Sequence, residues 1–285
     1  MTKDYVVGIG DNVVDYYQNK NVKFPGGNSV NFTVFAPKNL VDSYYVGSVA
    51  DDADGNMIIK SLNSEGVNTS FCNQIEGQTE KTCVNIVDGD RQFVSFTRGK
   101  RMLPPLNNKL MELCKNALVV YSGCHSKTEE ALKKIHDLGG TTAYDFSEME
   151  KYHTNEYLNK MAPNVDIAQF SLEQANEDDQ SRLLEICLKL GTSYVLFTRG
   201  GKVPLLYDFK GNCYTGVVNY NPNPVDTMGA GDTFFANLAV LLAKHRQKNL
   251  LIPKQEIIDS LVLSAEAAER TIMREGSYGY GEKIK

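Results

Sequence analysis

The run Asp226-Thr227-Met228-Gly229-Ala230-Gly231-Asp232-Thr233-Phe234 follows a loop broken by Pro222 and Pro224 and leads into an apolar stretch, Phe234 to Ala243, long enough for a helix. Small residues at 229–231 let the backbone approach a ligand closely, because little or no Cβ stands in the way. A helix starting here would point N–H groups, with their partial positive charge, out of its first turn. Such a turn holds anions, phosphate above all. A carboxylate at Asp232 could then take the proton of a hydroxyl that attacks the phosphorus. The competing reading is a glycine-rich turn with Asp232 as a plain helix cap.

Polar residues that could grip a hydroxylated partner lie near the N-terminus. Asp11, Val13 and Asp15 are two apart and share one face of an extended chain. Ionised carboxylates accept several hydrogen bonds and so suit hydroxyls, although solvated loop acids fit the same pattern. Further on, Phe24-Pro25-Gly26-Gly27-Asn28-Ser29-Val30-Asn31 breaks regular structure at its glycines. Asn28 or Ser29 then offers a cap for a helix over Val30 to Ala36, which Pro37 should end. Asn28 and Asn31, three apart, would share a helix face and suit a polyol. Gly8-Ile9-Gly10 lacks the third glycine of a dinucleotide fingerprint, Val13 standing in its place, and Gly201-Lys202-Val203 is no Walker A string.

The elements that must position these groups alternate. A buried strand, Tyr5 to Ile9, stops at Gly10-Asp11; a strand near Ser43 to Val46 precedes a helix from Asn56 to Ser64. Thr82 to Val87 and Arg91 to Thr97 flank Asp88-Gly89-Asp90, a hairpin signal. From Asn108 onward helices (108–114, 128–138, 178–190) alternate with strands (118–122, 141–145, 165–170, 194–198), followed by hairpin-like segments at 204–208 and 213–218. Helices over 254–260 and 261–275 close the chain. This order implies parallel pairing with helices on both faces, and ligands beyond the carboxyl ends of the strands. Asp11, His125, Asp145 and Thr198-Arg199-Gly200-Gly201 lie at such ends; His125 and Asp145 could equally be structural.

Composition narrows the class. The chain has 285 residues, 42% hydrophobic and 23% charged, which suits an ordinary globular domain. A net charge of −5 without a dense basic cluster argues against a nucleic-acid surface. Six cysteines without a C-x-x-C pair read as reduced thiols. Neither a signal-peptide layout at Met1 to Asp4 nor a bilayer-length apolar run is present, so a cytoplasmic protein without membrane partners is expected.

Gly26-Gly27-Asn28 with Asn31, and Asp226-Thr227-x-Gly229-Ala230-Gly231-Asp232, resemble the two signatures of the PfkB (ribokinase-like) carbohydrate kinases, and the resemblance covers essentially the whole chain. Gly10-Asp11-Asn12-x-x-Asp15, Tyr144-Asp145-Phe146-Ser147 and the short C-terminus look most like the fructoselysine-kinase branch. The resemblance implies one domain over 1–285, a three-layer α/β/α sandwich with a mostly parallel sheet, and a small β lid drawn from about 12–24 and 80–100. It implies an ATP-dependent kinase acting on a primary hydroxyl of a sugar or sugar-amine, with magnesium and a possible potassium ion. Asp232 matches the base, and Gly229, Ala230 and Gly231 match the anion hole. Asp11, Gly26, Gly27, Asn28 and Asn31 match sugar-binding positions, while Thr198 and Gly200 match the nucleotide turn. Asp226 matches a position near a monovalent cation. Arg98 could meet a carboxylate on the acceptor, or be an exposed basic residue. Ser171 and Gln174 stand where many members have Asn and Glu that organise magnesium, which leaves the magnesium site unassigned; Glu173 is a substitute candidate. Asn237 replaces a usual small residue, a change expected to act on helix packing. Free fructose or a nucleoside as acceptor, a silent sensor on the same fold, and a homodimer through exposed lid edges stay open.

Overall fold

The computed structural model describes residues 4–36, 40–87, 90–173, 177–218, 221, 223–248 and 251–284. Pro37, the Asp88-Gly89 turn, Gln174 and Pro222 lie outside the described residues. In chain order the elements are β1 (Tyr5–Ile9), β2 (Val13–Tyr17), β3 (Val22–Gly26), α1 (Asn28–Phe35), β4 (Asp42–Ala50), α2 (Ala53–Ser64), β5 (Asn68–Ile75), β6 (Lys81–Val87) and β7 (Asp90–Thr97). There follow α3 (Asn108–Asn116), β8 (Val120–Gly123), α4 (Glu129–Asp137), β9 (Thr142–Asp145), α5 (Asn155–Met161), β10 (Ile167–Ser171), α6 (Glu177–Lys189) and β11 (Tyr194–Arg199). Then come β12 (Lys202–Asp208), β13 (Cys213–Thr215), α7 (Ala230–Lys248), α8 (Lys254–Thr271) and β14 (Glu282–Lys283).

A nine-stranded sheet runs β13-β12-β11-β10-β9-β8-β1-β4-β5. Its pairs are parallel from β11 to β5, and at one edge β12 pairs antiparallel with both β11 and β13. Successive strand residues alternate between two cores. Val6, Ala143, Ile167 and Leu196 pack with α1, α2, α7 and α8, while Val7, Tyr144, Ala168 and Val195 face the side of α3 to α6. Helices therefore cover both faces, as strands buried on both sides require. The chain grows outward from β1 through β4 to β5, then resumes on the other side at β8, so the order reverses between β1 and β8. Ligands bind at such a switch point, outside the carboxyl ends.

The second sheet, β14-β3-β2-β6-β7, is the lid. Strands β2 and β3 leave the body just after β1 and return at Gly26, directly into α1. Three lid residues clasp Asp54 in the first turn of α2: Tyr16 Oη donates at 2.7 Å, and Lys23 Nζ and Lys81 Nζ lie at 2.5 and 3.3 Å. A deeper tie joins Tyr17 Oη to Asp226 Oδ2 at 2.5 Å, with both residues fully buried.

The structure corrects the sequence reading in places. Helix α1 begins at Asn28 with Gly27 as its cap residue, so neither Asn28 nor Ser29 caps it through its side chain. The two closing helices are one, because nothing between 254 and 271 breaks the hydrogen-bond ladder. Helix α2 starts at Ala53, capped by Asp52 Oδ1 accepting from Gly55 N–H at 2.8 Å. Strand β5 and helix α5 add to the elements expected from sequence, and β14 is only two residues long.

Replacing Tyr17 with Phe should leave buried Asp226 one donor short and lower stability by about 1–3 kcal/mol, the usual cost of stranding a buried polar group. Urea unfolding at neutral pH measures it; an unchanged midpoint would show that the tie contributes nothing.

Candidate active site

Pro25-Gly26-Gly27 brings the chain back from the lid beneath Asn12. Gly27 has φ +111°, and a Cβ there would come within 2.7 Å of the Asn12 backbone, so only glycine serves both needs. The first turn of α1 then meets Asp11. Asn28 N–H donates to Asp11 Oδ2 at 2.8 Å and Ser29 N–H to Oδ1 at 3.1 Å. The Ser29 and Ser126 hydroxyls each donate to Oδ1 at 2.8 Å. Ser126 follows β8, so this carboxylate spans the switch point. Burial would raise the Asp11 carboxyl, but Arg101 and these donors outweigh it and hold the group below its ordinary range. Arg101 is itself anchored by Glu80 and by the His125 carbonyl.

One turn along α1, Asn31 Nδ2 donates to Asp232 Oδ2 at 2.7 Å, and Ser277 Oγ donates to Asn31 Oδ1 at 2.9 Å. The pair is positioned by packing: Phe32 of α1 stacks on Tyr121 at 4.4 Å, and Phe235 of α7 meets the same ring edge-on at 5.9 Å. Asp232 sits in the first turn of α7, after Gly229-Ala230-Gly231. Gly229 has φ +77°, and a Cβ would lie 2.6 Å from Ser277 Cβ; around Gly231 there is open space. Asp226, fully buried, accepts from Met228 N–H at 3.0 Å, Gly276 N–H at 2.8 Å and Tyr17 Oη, which fixes the glycine turn against the C-terminal segment and the lid. Asn237 donates to the Phe35 carbonyl at 3.2 Å and so joins α7 to the end of α1.

Asn28 Nδ2 donates to Asp145 Oδ2 at 3.3 Å, and Ser147 N–H donates to Asp145 Oδ1 at 2.7 Å. Burial, aided by the nearby Asp11 charge, pushes the Asp145 carboxyl up to about 6 against its hydrogen bonds. Burial, and after it the charges of Asp145, Asp232 and Asp11, drive the Tyr121 hydroxyl far above its usual range. His125 Nε2 lies 3.3 Å from Ser147 Oγ, and burial lowers its imidazole.

At the ends of β10 and β11, Thr198 Oγ1 lies 3.3 Å from Ser171 Oγ. Gly200 has φ +59°, and a Cβ there would come within 2.7 Å of Glu173 Oε1, so Glu173 lies against this turn. A polar cavity of about 880 Å³ opens beside it, lined by Ser171, Glu173, His153 and Arg182 among others, but not by Asp11, Asn31 or Asp232. Among the described residues no cluster of three His, Cys, Asp or Glu could hold a metal.

Asp11, Gly26, Gly27, Asn28, Asn31, Gly229 to Gly231 and Asp232 thus converge, with Asp145 and His125 beside them. Arg98 does not join them: it is exposed after β7, and Arg101 is the cation that acts on Asp11. Arg101, Ser126, Ser277 and Gln169 escaped the sequence reading, since isolated residues of these types carry no spacing signal.

The family model for pfkB family carbohydrate kinases matches residues 3–279. The chain is 29% identical over 280 residues to the fructosamine kinase FrlD of Bacillus subtilis, covering 97% of this chain and 93% of that one. It is 30% identical over 229 residues to the fructoselysine 6-kinase of Escherichia coli, covering 80% and 85%. The fold superposes on an ATP-bound fructokinase from Xylella fastidiosa with a TM-score of 0.78 at 16% identity, covering 98% and 95%. No helix of the described residues is long and apolar enough to cross a membrane. With both signatures meeting around one buried helix and the family pattern extending over nearly its full length, this chain belongs to the pfkB family of carbohydrate kinases.

Proposed function

We propose that the protein transfers the γ-phosphoryl group of ATP to the primary 6-hydroxyl of a ketose carrying an amine at C1, fructoselysine fitting best, in the cytoplasm. The observation that carries the reading is the Asn31–Asp232 hydrogen bond, which sets a carboxylate at the first turn of α7 beside the glycine turn. The relatives named for fructosamine and fructoselysine support the acceptor class.

Asp232 takes the proton as the hydroxyl oxygen attacks phosphorus; the new O–P bond forms while the bond from γ-phosphorus to the β-γ bridging oxygen breaks, and ADP leaves. Amides of the Gly229–Gly231 turn and the positive end of α7 stabilise charge on the transferred group. Asn31, held by Ser277, orients Asp232. Thr198 and Gly200 would contact the nucleotide, the positive-φ glycine turn leaving room for Glu173 beside it. Magnesium would need no protein cage here, since such ions bind chiefly through phosphates and water; Glu173, against the Gly200 turn, would be a candidate carboxylate for it, and the ion would supply charge neutralisation. Asp226 remains the candidate for a potassium ion, since its three donors leave one lone pair on Oδ1.

Asp232→Asn should lower turnover by about 10²–10⁴-fold, the usual contribution of a positioned base, with the melting temperature nearly unchanged. Turnover equal to wild type would remove the base assignment. In a coupled ADP assay across fructoselysine, fructose, ribose and nucleosides, fructoselysine should give the highest kcat/KM; fructose matching it would defeat the sugar-amine reading and leave a fructokinase.

A further inference from the structure

Two buried carboxylates stand at strand ends facing α1, and they are compensated unequally. Asp11 has four donors and the field of nearby Arg101, whose ion pair is with Glu80. Asp145, equally buried at 5% exposure, has no ion-pair partner among the described residues; it accepts from Ser147 N–H, Asn28 Nδ2 and the Gln169 amide. Gln169 lies opposite Asp145 in the β9–β10 register and is itself 2% exposed, and its Oε1 has no donor in the protein. A carboxylate without a cation thus sits beside a carbonyl without a donor. Both are costly to bury in that condition.

A protonated secondary amine supplies one positive charge and two N–H donors. Its place along the sugar follows from α1. Asn31 reaches Asp232 and Asn28 reaches Asp145, from one helix face three residues apart, a rise of about 4.5 Å. A ketose whose 6-hydroxyl meets Asp232 would run along that face with its C1 end toward Asp145.

We propose that Asp145 and Gln169 form the receptor for the protonated amine of the acceptor and so select sugar-amines over neutral ketoses. The inference rests on the kinase reading above. Asp145 Oδ2 accepts one ammonium hydrogen and Gln169 Oε1 the other, and Asn28 holds the carboxylate in place.

The test compares two acceptors of equal length on the wild-type enzyme, 1-deoxy-1-propylamino-fructose and 1-O-propyl-fructose. The ratio of kcat/KM values should favour the amine by roughly 10–100-fold, the scale of a charge-assisted hydrogen bond. In Asp145→Asn and Asp145→Ser the ratio should collapse toward one, whatever the absolute rates; a purely structural role would lower both acceptors together and keep the ratio. A wild-type ratio near one, which needs no variant to fold, would overturn the assignment, as would a ratio preserved in either variant. Equal use of both acceptors defeats only this inference, whereas phosphorylation of neither defeats the kinase reading as well.

Discussion

A carboxylate removed from water at the start of a short buried helix is the constraint on which the rest of the site depends. Helix α1 has eight residues, seven of them buried, and no side-chain cap of its own. A helix this short is not stable by itself. Asp11 supplies the missing cap from another strand: its oxygens take the N–H groups of Asn28 and Ser29, and its charge meets the positive end of the helix. Oδ1 also binds Ser126 across the switch point, and the nearby Arg101 charge helps keep the carboxyl ionised. Strand β1, helix α1 and the loop after β8 are thereby locked at one place, and the two asparagines of α1 acquire fixed directions.

From that anchor the carboxylates of the site divide by what neutralises them. Asp11 is satisfied by four donors and held charged by the field of Arg101. Asp226 is satisfied by hydrogen-bond donors and joins the glycine turn to the lid through Tyr17. Asp232 is only partly buried, oriented by Asn31 at the mouth of the anion turn. Asp145 is buried with hydrogen bonds but without a cation, which lifts its carboxyl toward neutrality. Like chemical groups perform different tasks here because burial and neighbours, rather than residue type, set their charge.

The lid shares this anchor. Its strands β2 and β3 leave at Asp11 and return at Gly26, so the residues that would cover a sugar are covalently continuous with those that would bind it. Asp54 gathers Tyr16, Lys23 and Lys81 from three lid strands onto the first turn of α2. Covering the acceptor in this way would keep water from competing for the phosphoryl group.

Much was legible in the chain itself. Alternating apolar runs determine a parallel sheet with helices on both faces, because strands buried on two sides must be apolar throughout while helices need only one stripe. The Gly26-Gly27 and Gly229-Ala230-Gly231 runs are equally local: close backbone approach and positive φ leave few residue choices, so the requirement is written in composition. Partnership is not local. That Arg101 acts on Asp11, that Asn31 and Asn28 reach two different carboxylates, and that Gln169 lies beside Asp145 depend on strand order and on packing around Tyr121. Such contacts join residues far apart in the chain, so a single sequence can nominate the chemical groups, and only the folded arrangement assigns each one its neighbour and therefore its charge.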